Sequence, residues 1–407
     1  MSRSTSTSTA SGASSKTRSD SSTDPHHGRC FPPRSAAHLS HDNGVNVYAT
    51  KHTSRWVTAA TSAAAILLAA GCSSGTASQG EDFSPCIVSD AAGFDDHSFN
   101  ESALRGITAA ADELGVVASQ VESGNENDFQ PNVDAQVAEG CDLVVTVGYL
   151  FADVTGAAAV ANPDVQFAIV DDALDADGDG RPDVENGKPI LFDTAQAAFL
   201  AGYTAAAYSK SGVVGTLGGG QIPPVTLFMD GFVDGVDHYD EVNGADVRAV
   251  GWDKESQTGV FTGGFEAGVE AKTAAQSLLD QGADVLLPVG GPIYQSAAEA
   301  IRDKGGDTAL IGVDADVYET DPSVADLLLT SVVKGVDEAV RDVTVSAASG
   351  EFRNAPYVGT LENDGVGIAP FHDFAGKVPA DLQQQLDDLA AQIIAGEIEV
   401  TSQSTPG

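Results

Sequence analysis

The sequence predicts an α/β protein built as two doubly wound lobes of parallel sheet. Short β-rich runs alternate with longer Ala-rich helical stretches from residue 87 to residue 313, the rhythm of strands joined by crossover helices. The second half of that span repeats the rhythm of the first. With 407 residues the chain is long enough for two domains, and one sheet of a dozen strands would be unusual.

In order, residues 87–89 read as a strand, 100–114 as a helix and 116–122 as a strand. A helix ends over 134–140, 143–147 is a strand, 154–161 a helix and 166–171 a strand. The second half gives a helix at 194–209, strand 213–217, helix 225–239, strand 247–252, helix 263–281, strand 285–289, helix 295–304 and strand 310–313. Right-handed crossovers follow from strand twist. Ligands of open parallel sheets lie at the carboxyl ends of the strands. Polar and small residues fall there: Asp90, Asp171, Gly290-Gly291 and Asp314.

Composition narrows the function. The chain carries 20 Lys+Arg against 59 Asp+Glu, a formal net of -39, which repels nucleic-acid phosphates. Hydrophobic residues make up 42%, too many for a disordered acidic polymer. The 44 Gly with only 6% aromatics point to tight turns and close helix packing. With 8 His and 4 Cys, little is left for zinc, haem or iron–sulfur ligation.

Residues 1–46 are Ser-, Thr-, Pro-, His- and Arg-rich without apolar periodicity, and are expected to be a disordered extension. Lys51, His52 and Arg55 then lead into the apolar run 57–70 and Gly71-Cys72-Ser73-Ser74. Residues 47–71 thus have the layout of a secretory signal, too short to span a bilayer comfortably. Leu67-Leu68-Ala69-Ala70-Gly71-Cys72 resembles a bacterial lipobox, which implies a lipidated Cys72 with a tether over 72–83. The alternative is a plain signal with an incidental Cys. Met1 is the only Met before Met229, and translation from a non-Met codon such as Val45 or Val47 would begin the signal at its usual place. Residues 1–72 carry 7 Lys+Arg and 3 Asp+Glu, leaving 13 and 56, a net of -43, for residues 73–407.

Cys86 and Cys141 each stand beside an apolar run. If those runs are neighbouring parallel strands, both thiols lie at one sheet edge and a disulfide is expected after export. The alternative is two buried small hydrophobes.

The stretch Asp90-Ala-Ala-Gly93-Phe-Asp95-Asp96-His-Ser98-Phe99-Asn100 resembles the signature of the basic membrane protein family, whose purine nucleoside receptors are lipoproteins of ABC transporters. Phe167-Ala-Ile-Val-Asp171, the Gly-Gly-x-x-x-Pro character of residues 215–223, Gly282-Ala-Asp-Val285, Ile311-Gly-Val-Asp314 and Leu329-Thr-Ser-Val-Val-Lys334-x-Val-Asp337 resemble it in the same order. The resemblance spans roughly residues 84–375. It implies a type I periplasmic binding protein, two lobes joined by three crossovers: 84–193 plus 316–350 in the N-terminal lobe, 194–315 plus 351–400 in the C-terminal lobe. It further implies that Phe99 and Phe265 stack on opposite faces of a purine. Asp90, Asp96, Asn100 and Asp171 belong to the same implied ligand set, with Asp90 and Asp171 bonding base or sugar, and Gly291, Asp314 and Lys334 are its ribose-side contacts. Ala92 departs from a family Gly, Pro292-Ile293-Tyr294 from smaller residues, and Gly335 from a common Arg or Lys.

The chemistry of these residue types is consistent with that set. Two phenyl rings suit a flat π-system. Carboxylates take sugar hydroxyls in charge-assisted bonds, and an Asp-lined cleft repels phosphate. Phe99 as a core aromatic, Asp90 and Asp96 as turn or cap residues and Lys334 on a solvated helix face are the plainer readings.

Asp175-Ala-Asp177-Gly-Asp179-Gly180-Arg-Pro-Asp183 resembles a calcium loop in its oxygen spacing, with Asn186 where Glu is expected; a solvated acidic loop is the other reading. No cofactor is expected beyond that structural calcium. The chain lacks H-E-x-x-H and C-x-x-C, and its one G-x-S-x-G, Gly71-Cys72-Ser73-Ser74-Gly75, falls at the junction of signal segment and tether, so hydrolase machinery is poorly supported. The expectation is a non-enzymatic, lipid-anchored receptor on the extracytoplasmic face of the cell membrane. Its partners would be a purine nucleoside, the permease subunits of an ABC transporter and the membrane through the anchor, with no nucleic acid and a monomeric chain. A surface sensor or interaction protein of the same fold, and an extracytoplasmic glycosidase or nucleosidase, are the alternatives.

Overall fold

The protein is described by a computed structural model over residues 83–406. The expected extension, signal segment, Cys72 anchor and all but the last residue of its tether lie outside the described residues.

The first stretch is strand β1 (Pro85–Val88), helix α1 (Phe99–Leu114), β2 (Ser119–Val121), α2 (Phe129–Glu139), β3 (Leu143–Val147), α3 (Ala152–Ala161), β4 (Gln166–Val170) and β5 (Gly187–Phe192). The second is α4 (Thr194–Tyr208), β6 (Val213–Gly218), α5 (Pro223–Asn243), β7 (Arg248–Val250), β8 (Trp252–Asp253), β9 (Thr258–Gly259), α6 (Val269–Asp280), β10 (Val285–Val289), α7 (Ile293–Lys304), β11 (Ala309–Asp314), α8 (Val317–Thr320) and β12 (Leu328–Lys334). Helix α9 (Val336–Ala348), β13 (Tyr357–Gly359), β14 (Val366–Ile368) and α10 (Leu382–Ile394) complete the chain.

These strands form two six-stranded sheets of matching plan. The first runs β13-β5-β4-β3-β1-β2 and the second β14-β12-β11-β10-β6-β7. All neighbours in the first are parallel; in the second only β14 runs antiparallel, against β12. Strands β1, β3, β10 and β11 are buried at every residue. That is why their sequences are continuous apolar runs: a parallel sheet covered by helices on both faces has no wet side.

The chain passes between sheets three times: from β5 into α4, from β12 into α9, and from β13 into β14. The crossings are laced together, with the Asp193 N–H donating to Gly359 O at 2.8 Å and the Gly335 N–H to Gly365 O at 2.9 Å. The return to the first lobe falls at Gly335, a correction to the expected boundary at 316. The reason is that β12 pairs with β11 and β14 in the second sheet, and only α9 packs back on α1. The expected boundary at 351 also moves, because β13 pairs with β5 in the first sheet.

Helices α4 and α5 pack backbone to backbone. A Cβ on Gly202 would overlap the Phe232 carbonyl oxygen, and one on Gly231 that of Ala195. Cys86 and Cys141 are joined by a disulfide with Cα atoms 6.0 Å apart, at the end of the first sheet away from the strands' carboxyl edge. Among the described residues no helix is long and apolar enough to cross a membrane.

Two expected elements differ. The helix read over 263–281 begins only at Val269, because Gly263, Gly264 and Gly268 break the approach. The strand read over 247–252 is cut at Gly251, whose φ of 93° turns the chain into the β8–β9 hairpin.

Candidate functional site

The loop between β1 and α1 is built by two buried aspartates with different tasks. Asp96 is 1% exposed and caps α1. One oxygen accepts the N–H of Ser98 at 2.9 Å and of Glu101 at 3.0 Å; the other accepts the Asn100 N–H at 2.8 Å and its Nδ2 at 3.1 Å. Both oxygens are consumed, and Asp96 does not line the cleft. The expectation that it contacts ligand is therefore corrected: it positions Phe99 and Asn100. Asp90 uses only Oδ1, which accepts from Ala92 N–H at 2.9 Å and Asn100 Nδ2 at 2.8 Å. Its other oxygen lies beside Gly148.

The matching sheet plans place residues in pairs. Gly148 follows β3 and Gly290 follows β10, both at positive φ, 114° and 140°. A Cβ at Gly148 would touch the Phe99 ring and one at Gly290 would overlap the Phe265 ring, so glycine at each position leaves room for one aromatic. Asp171 follows β4 and Asp314 ends β11, at φ of 73° and 69°. Left-handed backbone at a non-glycine residue is uncommon and concentrates at functional sites.

Lys334, the last residue of β12, joins the lobes. Its Nζ lies 2.5 Å from Asp171 Oδ2 and 3.9 Å from Asp314 Oδ1, and 4.8 Å from the centroid of the Phe99 ring. The Ser98 hydroxyl also crosses the gap, donating to Val313 O at 2.9 Å. Burial pushes the Asp90 carboxyl up to about 6, against the Ala92 and Asn100 hydrogen bonds that hold it down. Burial pushes Asp314 up to about 7, with Lys334 opposing and the Asp171 and Asp96 charges adding to the rise. Asp171 is raised by burial, opposed by its bond to Lys334.

These groups surround a cleft between the lobes. Asp90, Phe99, Asn100 and Asp171 line it from the first lobe; Phe265, Gly291, Asp314 and Lys334 line it from the second. Of the nine residues expected to touch ligand, the structure brings eight to one cleft. The sequence reading did not single out Tyr149, Val225 and Phe228, which also line it. Tyr149 stands at a strand's carboxyl end, where the edge rule would have found it. Val225 and Phe228 carry no polar signal, since they read as the buried stripe of α5.

The acidic loop gathers three of its four expected ligands. Carboxylate oxygens of Asp175, Asp177 and Asp183 lie within 4.8 Å of one another; Asp179 is not among them. The Asp175 carboxylate is occupied by the N–H groups of Gly178, Asp179 and Gly180, as in a self-closed turn.

Two lobes of parallel sheet, three crossings and a polar cleft between facing strand ends define the class: a type I periplasmic binding protein. The family profile Bmp, described as "ABC transporter substrate-binding protein PnrA-like", matches residues 84–404. The chain belongs to that family. It is 27% identical over 361 residues to the "ABC transporter nucleoside-binding protein BmpA" of Lactococcus lactis, covering 83% of this chain and 96% of that protein. An uncharacterized lipoprotein of Pyrococcus abyssi is 29% identical over 352 residues, 82% of each chain. The crystal structure of an ABC transporter solute-binding protein from Aeropyrum pernix K1 superposes with a TM-score of 0.67 at 26% identity, over 79% of this chain and 94% of that one.

Proposed function

We propose that the protein is a lipid-anchored, extracytoplasmic receptor that captures purine nucleosides in the interlobe cleft and delivers them to the permease subunits of an ABC importer. The observation that carries this reading is the pairing of two phenylalanine rings, Phe99 from one lobe and Phe265 from the other, on the walls of one cleft. A purine between them gains stacking on both faces. Asp90 leaves one carboxylate oxygen free at the cleft, and the group of Asp171, Asp314 and Lys334 offers acceptors and a donor suited to ribose hydroxyls. Three buried acids against one ammonium leave no net positive charge for a phosphate, which favours a nucleoside over a nucleotide.

Ligand bridging the lobes favours the shut form, and a permease then distinguishes loaded from empty receptor. The nucleoside-binding relative supports the ligand class, and the lipobox-like residues 67–72 with the lipoprotein relative support an anchor at Cys72.

Calorimetry of the protein from residue 73 onward against inosine, guanosine, adenosine, uridine and ribose tests the ligand. Purine nucleosides are expected to bind at least about tenfold tighter than uridine; equal binding of uridine, or binding of ribose alone, would overturn the purine assignment. Chromatography of the incubated mixture should return the nucleoside intact, and free base would make the protein a nucleosidase. Replacing Cys72 by Ala is expected to release the protein from the membrane fraction.

A further inference from the structure

The ligand cleft does not end at its ribose side. A second pocket, partly open to solvent, adjoins it as a chamber, and Tyr149, Asp171 and Pro224 belong to both walls. Pro182, Phe192, Pro223, Leu227 and Pro356 give the chamber apolar sides. The remaining polar groups are Asp172, Asp175, Arg181, Ser404 and Thr405.

Its roof is held in place rather than lying loose. The Ser402 hydroxyl donates to Asp230 at 2.6 Å, and Asp230 is fully buried and also accepts from Trp252 Nε1 at 2.8 Å. The Ser404 and Thr226 hydroxyls lie 2.9 Å apart, and Lys254 Nζ donates to the Thr401 hydroxyl at 3.0 Å. The last described residues of the chain thus run from the second lobe to the mouth shared with the 172–182 segment of the first.

We propose that this chamber is a subsite for a substituent at the 5′ position of the bound nucleoside, apolar and uncharged or cationic. The inference rests on the nucleoside reading of the cleft and on the sugar lying at Asp314 and Lys334. Asp171 pairs with Lys334 and lies on the wall that cleft and chamber share, so the chamber is the space a group directed from the sugar past Asp171 would meet. The proline and leucine sides suit alkyl or thioether carbon. Asp171, Asp172 and Asp175 outnumber the single guanidinium of Arg181, which disfavours a 5′-phosphate.

The test is calorimetry with adenosine, 5′-deoxy-5′-methylthioadenosine, its 5′-butylthio homologue and adenosine 5′-monophosphate. Both thioethers are expected to bind within about threefold of adenosine or tighter, and the monophosphate at least about tenfold more weakly. Thr405→Trp, which fills the chamber from an exposed position, should weaken the butylthio compound by about fivefold or more and leave adenosine unchanged. If that variant does not fold, Arg181→Trp fills the chamber from the opposite side.

Adenosine binding with both thioethers excluded by more than about tenfold would overturn the subsite alone. So would a chamber variant that affects both ligands equally or neither. Failure of adenosine itself to bind would remove the nucleoside reading first, and the subsite with it.

Discussion

Asp90, just after β1, and Phe99, the first residue of α1, line the same cleft, yet they respond to different perturbations. Phe99→Ala removes one stacking face and should weaken purine nucleoside binding by about 1–3 kcal/mol, the range of base–aromatic stacking. Calorimetry reads this directly, and equal affinity in the variant would mean the ring serves the core alone. Asp90 answers to pH. Its carboxyl is raised to about 6 and that of Asp314 to about 7, both above the ordinary 3.8. Between about pH 4 and pH 7 the folded chain therefore holds protons that the unfolded chain has released. Stability from this source is fully present below pH 4 and is lost as pH rises through that window, by about 1.4 kcal/mol for each unit of displacement. Ligand-free protein should melt at a higher temperature at pH 5 than at pH 7.5, and Asp90→Asn should flatten that slope. A base N–H donating to Asp90 needs the ionised form, so nucleoside affinity should rise from pH 5 to pH 7 in the native protein and not in Asp90→Asn.

At the scale of elements, the helix pair α4–α5 is the sharpest case, because its contact is backbone against backbone. Gly231→Val puts a branched side chain where the Ala195 carbonyl already sits. Chemical denaturation should show a loss of about 3 kcal/mol or more, the scale of forced overpacking in a core. Strands β1, β3, β10 and β11, and β4 and β6 beyond their half-buried first residues, were legible in the sequence, since two-sided burial writes itself as Val, Ile and Leu. Strand β5 was not: Lys188 and Pro189 interrupt its apolar run, yet Pro189 is tolerated because the neighbouring strand β13 joins β5 only from Ile190 onward. Helix α9 and strand β12 were hidden for another reason. Their residues were legible as a motif around Lys334, but no local pattern says which sheet a strand joins.

The candidate site was legible where polar residues end apolar runs, as with Asp90, Asp171 and Asp314. It was not legible where an apolar side chain changes its allegiance from core to cleft, as with Val225 and Phe228.

For the molecule as a whole, the Cys86–Cys141 bridge closes a loop of 55 residues' separation across β1 and the approach to β3. Replacing both by Ala should lower global stability by about 2–4 kcal/mol, read by denaturant midpoint. Nucleoside affinity should change little, because the bridge lies at the far end of the sheet from the cleft. The two sheets repeat one plan, so Gly148 and Gly290, and Asp171 and Asp314, answer each other from opposite lobes with like backbone angles.

The position of Lys334 has a mechanical consequence. It stands one residue from Gly335, where the polypeptide changes lobes, and a point beside a pivot travels little when a lever swings. If the halves part by turning about those three strands of linkage, the contact between Lys334 and Asp171 survives while more distant walls draw apart. A guest would then land on a floor that is already laid, and only the sides would need to swing in around it.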